Sequence, residues 1–144
     1  MSKEVIAIAS DHGGFEFKEA LKKELEKSGF DVNDLGCHDE NSVDYPDYGH
    51  AIADAIKDGS IKRGVLVCGS GIGISIAANR HAHIRAALVH DGLTARLCRE
   101  HNDANILVLG GRTTGIEVAK DCLNIFLNTD FEGGRHQIRI DKMS

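Results

Sequence analysis

Apolar and polar positions along this chain follow two rhythms that take turns from one end to the other. Short unbroken apolar runs, the mark of strands buried on both faces, alternate with stretches in which apolar residues recur every three to four positions, the mark of helices. Val5-Ile6-Ala7-Ile8-Ala9 predicts a first strand over 5–9. After the turn Asp11-His12-Gly13-Gly14, the spacing of Phe17, Leu21 and Leu25 predicts a helix over 15–28, with Gly29 as its C-terminal stop. A second strand over 30–35 is diluted by Asn33 and Asp34, and a loop over 36–47 holds the single proline, Pro46. Ile52, Ala53 and Ile56 predict a helix over 48–57, closed by Asp58-Gly59. Strands over 64–68, 84–90 and 106–109 are each followed by a helix, over 74–80, 93–100 and 115–128. In the last of these Val118, Cys122, Ile125 and Phe126 are expected on the inner face. A basic tail covers 133–142.

Five β-α units in series imply an α/β fold, a five-stranded parallel sheet with right-handed crossovers and helices on both faces. In open sheets of this kind ligands bind beyond the carboxyl ends of the strands. Asp11 and His12 follow the first strand, Cys68 to Gly73 the third, Asp91 the fourth and Arg112 the fifth, so these loops are expected to converge on one rim.

Composition narrows the class. At 144 residues the chain makes one domain, over 1–144, large enough for a real core. A formal charge of −5 and the lack of a long basic run speak against nucleic acid. No apolar run approaches the roughly 20 residues of a membrane span, and the N-terminus is too short and acidic for a signal peptide, so no membrane association and a cytoplasmic location are expected. Four cysteines (Cys37, Cys68, Cys98, Cys122) lack any C-x-x-C pair, and the eight histidines form no standard ligand set. Reduced, mostly buried thiols and no metal are expected.

The stretch Cys68-Gly69-Ser70-Gly71-Ile72-Gly73-Ile74-Ser75 carries the most chemistry. A strand that ends in a glycine-rich turn and feeds a helix N-terminus exposes backbone N–H groups and a positive dipole end, a cradle for an anion or for an oxygen that becomes negative during reaction. It lacks the Gly-Lys-Ser/Thr ending of a P-loop and has Ile74 where a dinucleotide fingerprint needs glycine, so neither ATP nor NAD is implied. A thiol at the edge of that dipole is drawn towards the reactive thiolate, although a strand cysteine also serves as a small core residue. Asp11-His12 reads either as a polar pair facing a ligand or as a turn whose aspartate caps the next helix. His101 and Asn102 stand at a helix end, where histidine also complements the dipole. If 134–140 turns as a helix, Arg135 and Arg139 share one face, able to grip a phosphate dianion or simply to stay solvated. Tyr45, beside Pro46, either covers a ligand or packs a loop. Base, cradle, histidine and arginine pair together suit aldose–ketose isomerisation, which moves a proton between neighbouring carbons and needs donors for enediolate oxygens.

These residues resemble the type B ribose-5-phosphate isomerases and their galactose-6-phosphate relatives. The resemblance rests on Ser10-Asp11-His12-Gly13-Gly14, Asp44-Tyr45-Pro46-Asp47-Tyr48, the run from Cys68 to Asn79, Arg99-Glu100-His101-Asn102-Asp103-Ala104-Asn105, and Glu132-Gly133-Gly134-Arg135-His136-Gln137-Ile138-Arg139. It implies a single-domain Rossmann-like α/β/α sandwich, a homodimer or homotetramer with shared active sites, and interconversion of ribose 5-phosphate and ribulose 5-phosphate without metal or cofactor. It assigns Cys68 as the base and His101 as the ring-opening donor, with Ser70 and the backbone of Gly69, Gly71, Ile72 and Gly73 holding the enediolate. Asp11 and Asn102 would hold sugar oxygens, His12, Arg112, Arg135 and Arg139 the phosphate, and Tyr45 would line the pocket. Two positions depart from the family pattern: Ser70 stands where threonine is common, and Arg80-His81-Ala82-His83 is unusually histidine-rich. The first keeps allose or galactose 6-phosphate open as substrates, and a non-catalytic sugar-phosphate binding protein is the alternative from another class.

Overall fold

The structure, a computed structural model, describes residues 3–143. Its five strands are β1 (Val5–Ser10), β2 (Asp31–Asp34), β3 (Arg63–Cys68), β4 (Ala86–Leu88) and β5 (Ile106–Gly110), all parallel, in the order β2-β1-β3-β5-β4. Six helices accompany them: α1 (Phe15–Lys27), α2 (Tyr45–Ile56), α3 (Ile72–Asn79), α4 (Gly92–Glu100), α5 (Ile116–Asn128) and α6 (Arg135–Asp141).

Strand residues alternate between two cores because successive side chains leave opposite faces of a sheet. Ile6, Ile8, Val65, Val67, Leu107 and Leu109 pack against α1, α4 and α5. Ala7, Ala9, Leu66, Cys68, Ile106 and Val108 face α2 and α3. The expected α/β sandwich is therefore present. Helix α1, after β1, and α3, after β3, lie on opposite faces, so the ends of these neighbouring strands open a crevice where the winding changes direction.

Four sequence expectations shift. The helix foreseen over 48–57 begins at Tyr45, since Pro46 sits in its first turn, where a missing N–H costs nothing. The helix expected from residue 74 begins at Ile72. The strand expected over 84–90 shrinks to Ala86–Leu88: Asn79 brackets Ala86 through both of its backbone groups (2.9 and 2.8 Å), and Asn105 Oδ1 accepts from Arg85 N–H at 2.8 Å. In α5 the buried stripe is Ala119, Cys122, Leu123, Phe126 and Leu127, while Val118 is exposed and Ile125 only half-buried. Lys18 was not foreseen at all. Its side chain is 0% exposed, and its ammonium donates to both Asp34 oxygens (2.7 and 2.8 Å) and to the Cys37 carbonyl (2.6 Å).

Candidate active site

The crevice between β1 and β3 is a cleft of about 740 Å³ lined by Asp11, His12, Gly13, Tyr45, Cys68, Gly69, Ser70, Ile72, Gly73, Ile76, Arg112 and Thr113. Nine of these were expected from the sequence, whereas Gly13, Ile76 and Thr113 were not. Thr113 follows Arg112 directly and Gly13 adjoins His12, so only proximity in the chain could have signalled them.

Each wall has a local cause. The Cys68 sulfur lies at the carboxyl end of β3, 5% exposed, and accepts the Gly71 N–H at 3.1 Å. Gly71 lies beneath the cleft and does not line it. Its φ of +79° suits glycine, and a Cβ there would press on the Leu109 carbonyl at 3.1 Å. Helix α3 starts at once, and the N–H groups of its first turn lack partners within the helix. One of them, on Ile72, donates to Ser70 Oγ at 3.2 Å. The loop after β5 is stitched to the same turn: Gly111 N–H reaches the Cys68 carbonyl (2.9 Å) and Arg112 N–H the Gly69 carbonyl (2.8 Å). The Arg112 side chain thereby lies alongside Gly69.

On the β1 side, Asp11 accepts the Gly14 N–H at 3.1 Å and caps the 3₁₀ turn His12–Gly14, and the same residue lines the cleft. His12 Nδ1 accepts the Val43 N–H at 3.1 Å, which fixes its tautomer with the proton on Nε2. Tyr45 stands over Gly73, close enough that any Cβ there would strike its ring.

Other expected residues lie elsewhere in the chain. Asp91 does not reach this rim: it caps α4, accepting the Thr94 N–H and hydroxyl (both 2.8 Å), and these bonds hold its carboxyl below the usual carboxylate range. His101 caps the C-terminus of α4, Arg135 and Arg139 are exposed on α6, and none of the three lines the cleft. Asn102 opens instead on a second cleft of about 690 Å³ with Asn79, His81, Arg85 and Gln137. Among the described residues one set of three metal-capable side chains converges, His101, Glu132 and His136, with donor atoms within 4.8 Å of one another. Glu132 and His136 enter the sequence reading only as members of the run from Glu132 to Arg139, with no role of their own.

All four cysteines are free and buried. Burial pushes the thiols of Cys98 and Cys122 up to about 11. No helix among the described residues is long and apolar enough to cross a membrane.

The profile of the Ribose/Galactose Isomerase family matches residues 6–143. Ribose-5-phosphate isomerase B of Escherichia coli is 41% identical over 139 residues, covering 96% of this chain and 93% of that protein. Among solved structures, ribose-5-phosphate isomerase B of Clostridium thermocellum is 48% identical with a TM-score of 0.95, covering 96% and 94% of the two chains. The Thermotoga maritima ribose 5-phosphate isomerase is 51% identical with a TM-score of 0.95 and covers 97% of each.

Proposed function

Since the chain belongs to the ribose/galactose isomerase family and is an isomerase, we propose that it interconverts ribose 5-phosphate and ribulose 5-phosphate through an enediolate, with Cys68 as the base. The observation that carries this reading is the Cys68 sulfur on the floor of the cleft, beside the N-terminus of α3.

His101 protonates the ring oxygen as the C1–O4 bond breaks, the anomeric hydroxyl gives up its proton to solvent, and its O–H electron pair forms the carbonyl of the free C1 aldehyde. The Cys68 thiolate removes the proton from C2, the electron pair of that C–H bond becomes the C1–C2 double bond, and the negative charge moves to O1. The backbone N–H groups of Gly69, Ile72 and Gly73 and the Ser70 hydroxyl stabilise that oxygen, as preorganised donors do wherever charge develops, while the Gly71 N–H, already given to the Cys68 sulfur, favours its thiolate instead. The proton on the C2 hydroxyl passes to O1, and the sulfur returns its own proton to C1, leaving the ketone at C2. Asp11 and Asn102 hold sugar hydroxyls, and Tyr45 covers the pocket. His12, Arg112, Arg135 and Arg139 grip the phosphate, whose binding energy positions the reacting carbons. No metal or cofactor enters this scheme.

His101, Asn102, Arg135 and Arg139 stand apart from the cleft of their own chain, so the reading calls for a homodimer, single or paired into a tetramer, in which a second copy completes each site. A cytoplasmic sugar-phosphate pool is the corresponding setting. Ser70 leaves the cleft one methyl wider than a threonine would, so hexose 6-phosphates are the competing substrates. One methylene is worth only about 1–3 kcal/mol of discrimination.

Three experiments test the reading. Cys68→Ala is expected to lower kcat for ribulose 5-phosphate formation about 10²–10⁴-fold while ribose 5-phosphate still binds; near-normal turnover removes Cys68 as the base. Mixing Cys68→Ala with His101→Ala protein should restore up to about one quarter of normal activity, because half the dimers then hold one intact shared site. No restoration removes the shared site. A panel of phosphorylated pentoses and hexoses separates the substrates, and binding without turnover on all of them would favour a sugar-phosphate sensor.

A further inference from the structure

His101 caps α4, and its backbone N–H bonds to the Leu97 carbonyl at 2.9 Å. Among the described residues its ring makes no hydrogen bond; the ring contact it makes is with His136, centroids 4.4 Å apart and planes 15° from parallel. Rotation of an imidazole about its χ2 bond is soft, with broad wells, so a histidine that must aim a nitrogen at substrate needs something outside itself to set its plane. His136 meets that need. It is 8% exposed on the first turn of α6, and its Nε2 lies 3.3 Å from Glu132 Oε1.

The brace is tied back to the histidine it supports. Glu132 N–H donates to the Glu100 carbonyl at 3.1 Å, one residue before His101. Gly133 and Gly134, with φ of +70° and +59°, then turn the chain so that Glu132 and His136 meet. The same three side chains offer a two-histidine, one-carboxylate donor set. Imidazole lone pairs lie in the ring plane, however, and stacked planes carry them side by side rather than towards a common point. One ion cannot use both rings unless one of them turns.

We propose that His136, braced by Glu132, is a positioning residue that sets the plane of the His101 ring. The proposal deepens the reading of His101 as the ring-opening acid and rests on it. A misaimed group commonly costs one to two orders of magnitude in rate.

The test compares His136→Ala, His136→Phe, Glu132→Gln, His101→Ala and the His101→Ala/His136→Ala double variant. The readouts are kcat and KM for ribose 5-phosphate, thermal unfolding, and the proton resonances of the His101 ring. His136→Ala should lower kcat about tenfold or more with KM little changed. His136→Phe, which keeps a flat face beneath His101, should recover much of the loss, and Glu132→Gln, which keeps an acceptor for Nε2, should lose least. The double variant should be no slower than His101→Ala alone, because His136 acts only through His101. The upfield ring-current shift of the His101 protons should vanish in His136→Ala and persist in His136→Phe.

Losses that multiply, or a Phe variant as slow as the Ala variant, mean a merely structural role and overturn the proposal. A normal kcat in His136→Ala beside a slow His101→Ala overturns it alone; a normal kcat in His101→Ala overturns the role given to His101 and this proposal with it. Equimolar Zn²⁺ binding that is lost in both single alanine variants overturns it in favour of a metal centre.

Discussion

Lys18→Met makes the sharpest stability test, because Lys18 is a fully buried ammonium whose partners are all known. The change keeps the unbranched stem and removes three donated bonds, two to Asp34 and one to the Cys37 carbonyl, together with a longer ion pair to Glu19 at 3.5 Å. Removing one member of a buried ion pair costs about 3–5 kcal/mol, because the other charge is stranded. Asp34 is not left bare: Lys22 Nζ and Gly36 N–H each remain at 2.9 Å, and its side chain is 15% exposed. The cost therefore belongs at the lower end, about 3 kcal/mol. For a domain of this size that corresponds to a fall in Tm of about 6–12 °C, read by circular dichroism at one protein concentration.

Acidification supplies an internal control. Burial pushes the Asp34 carboxyl up, but the hydrogen bonds from Lys18, Lys22 and the Gly36 amide outweigh it, so its folded value lies below the ordinary 3.8. A carboxylate depressed in the folded state stabilises above its unfolded value and loses that contribution as pH falls through its folded one. The gap in Tm between wild type and Lys18→Met should thus be full at pH 7 and narrow below about 3.8. A loss under about 2 °C at pH 7, or a gap indifferent to acid, would refute the reasoning.

Three further outcomes are expected. Gly73→Ala introduces a Cβ that displaces the half-exposed Tyr45 ring rather than any backbone, so KM should rise several-fold while Tm holds or increases, since alanine favours the helix by up to about 1 kcal/mol; unchanged KM would show that Tyr45 does not cover the substrate. Iodoacetamide at pH 8 should abolish turnover through Cys68 while mass mapping finds Cys98 and Cys122 unmodified, because burial pushes those thiols to about 11; alkylation of the latter pair first would contradict this. Arg112→Ala should raise KM for phosphorylated substrate at least tenfold with the fold intact, as a guanidinium–phosphate contact is worth about 1.5–3 kcal/mol; an unchanged KM would place the phosphate elsewhere.

What the sequence revealed, and what it hid, follows from the range of the interactions. The strands were legible because β1, β3 and β5 are buried on both faces and read as unbroken apolar runs. The cradle was legible because Cys68 and Gly71, three residues apart, make their own contact. The inner face of α5 was not, because Val118 and Ala119 begin two plausible stripes one residue apart, and only packing against α1 and α4 chooses between them. The truncation of β4 depends on Asn79 and Asn105, whose side chains reach across the fold to take its backbone groups. Lys18 escaped notice because its partner lies sixteen positions away on another element. Glu132 and His136, four apart, resemble an ordinary surface pair until the His101 ring is seen against them.

The short α6 has a bearing on how the molecule breathes. Only His136 and Ile140 of its seven residues are buried, whereas the sulfur sits at the end of a strand paired on both sides. Amide exchange should therefore be slow along β3 and fast along α6, by the usual spread between a protected centre and a fraying periphery. Arg135 and Arg139, two of the four groups assigned to the phosphate, would ride on this looser element, and the sulfur assigned to proton transfer at carbon on the tightest strand. Local opening of this one short helix would then loosen the phosphate grip and the His136 face behind His101 together, while leaving the sulfur in place.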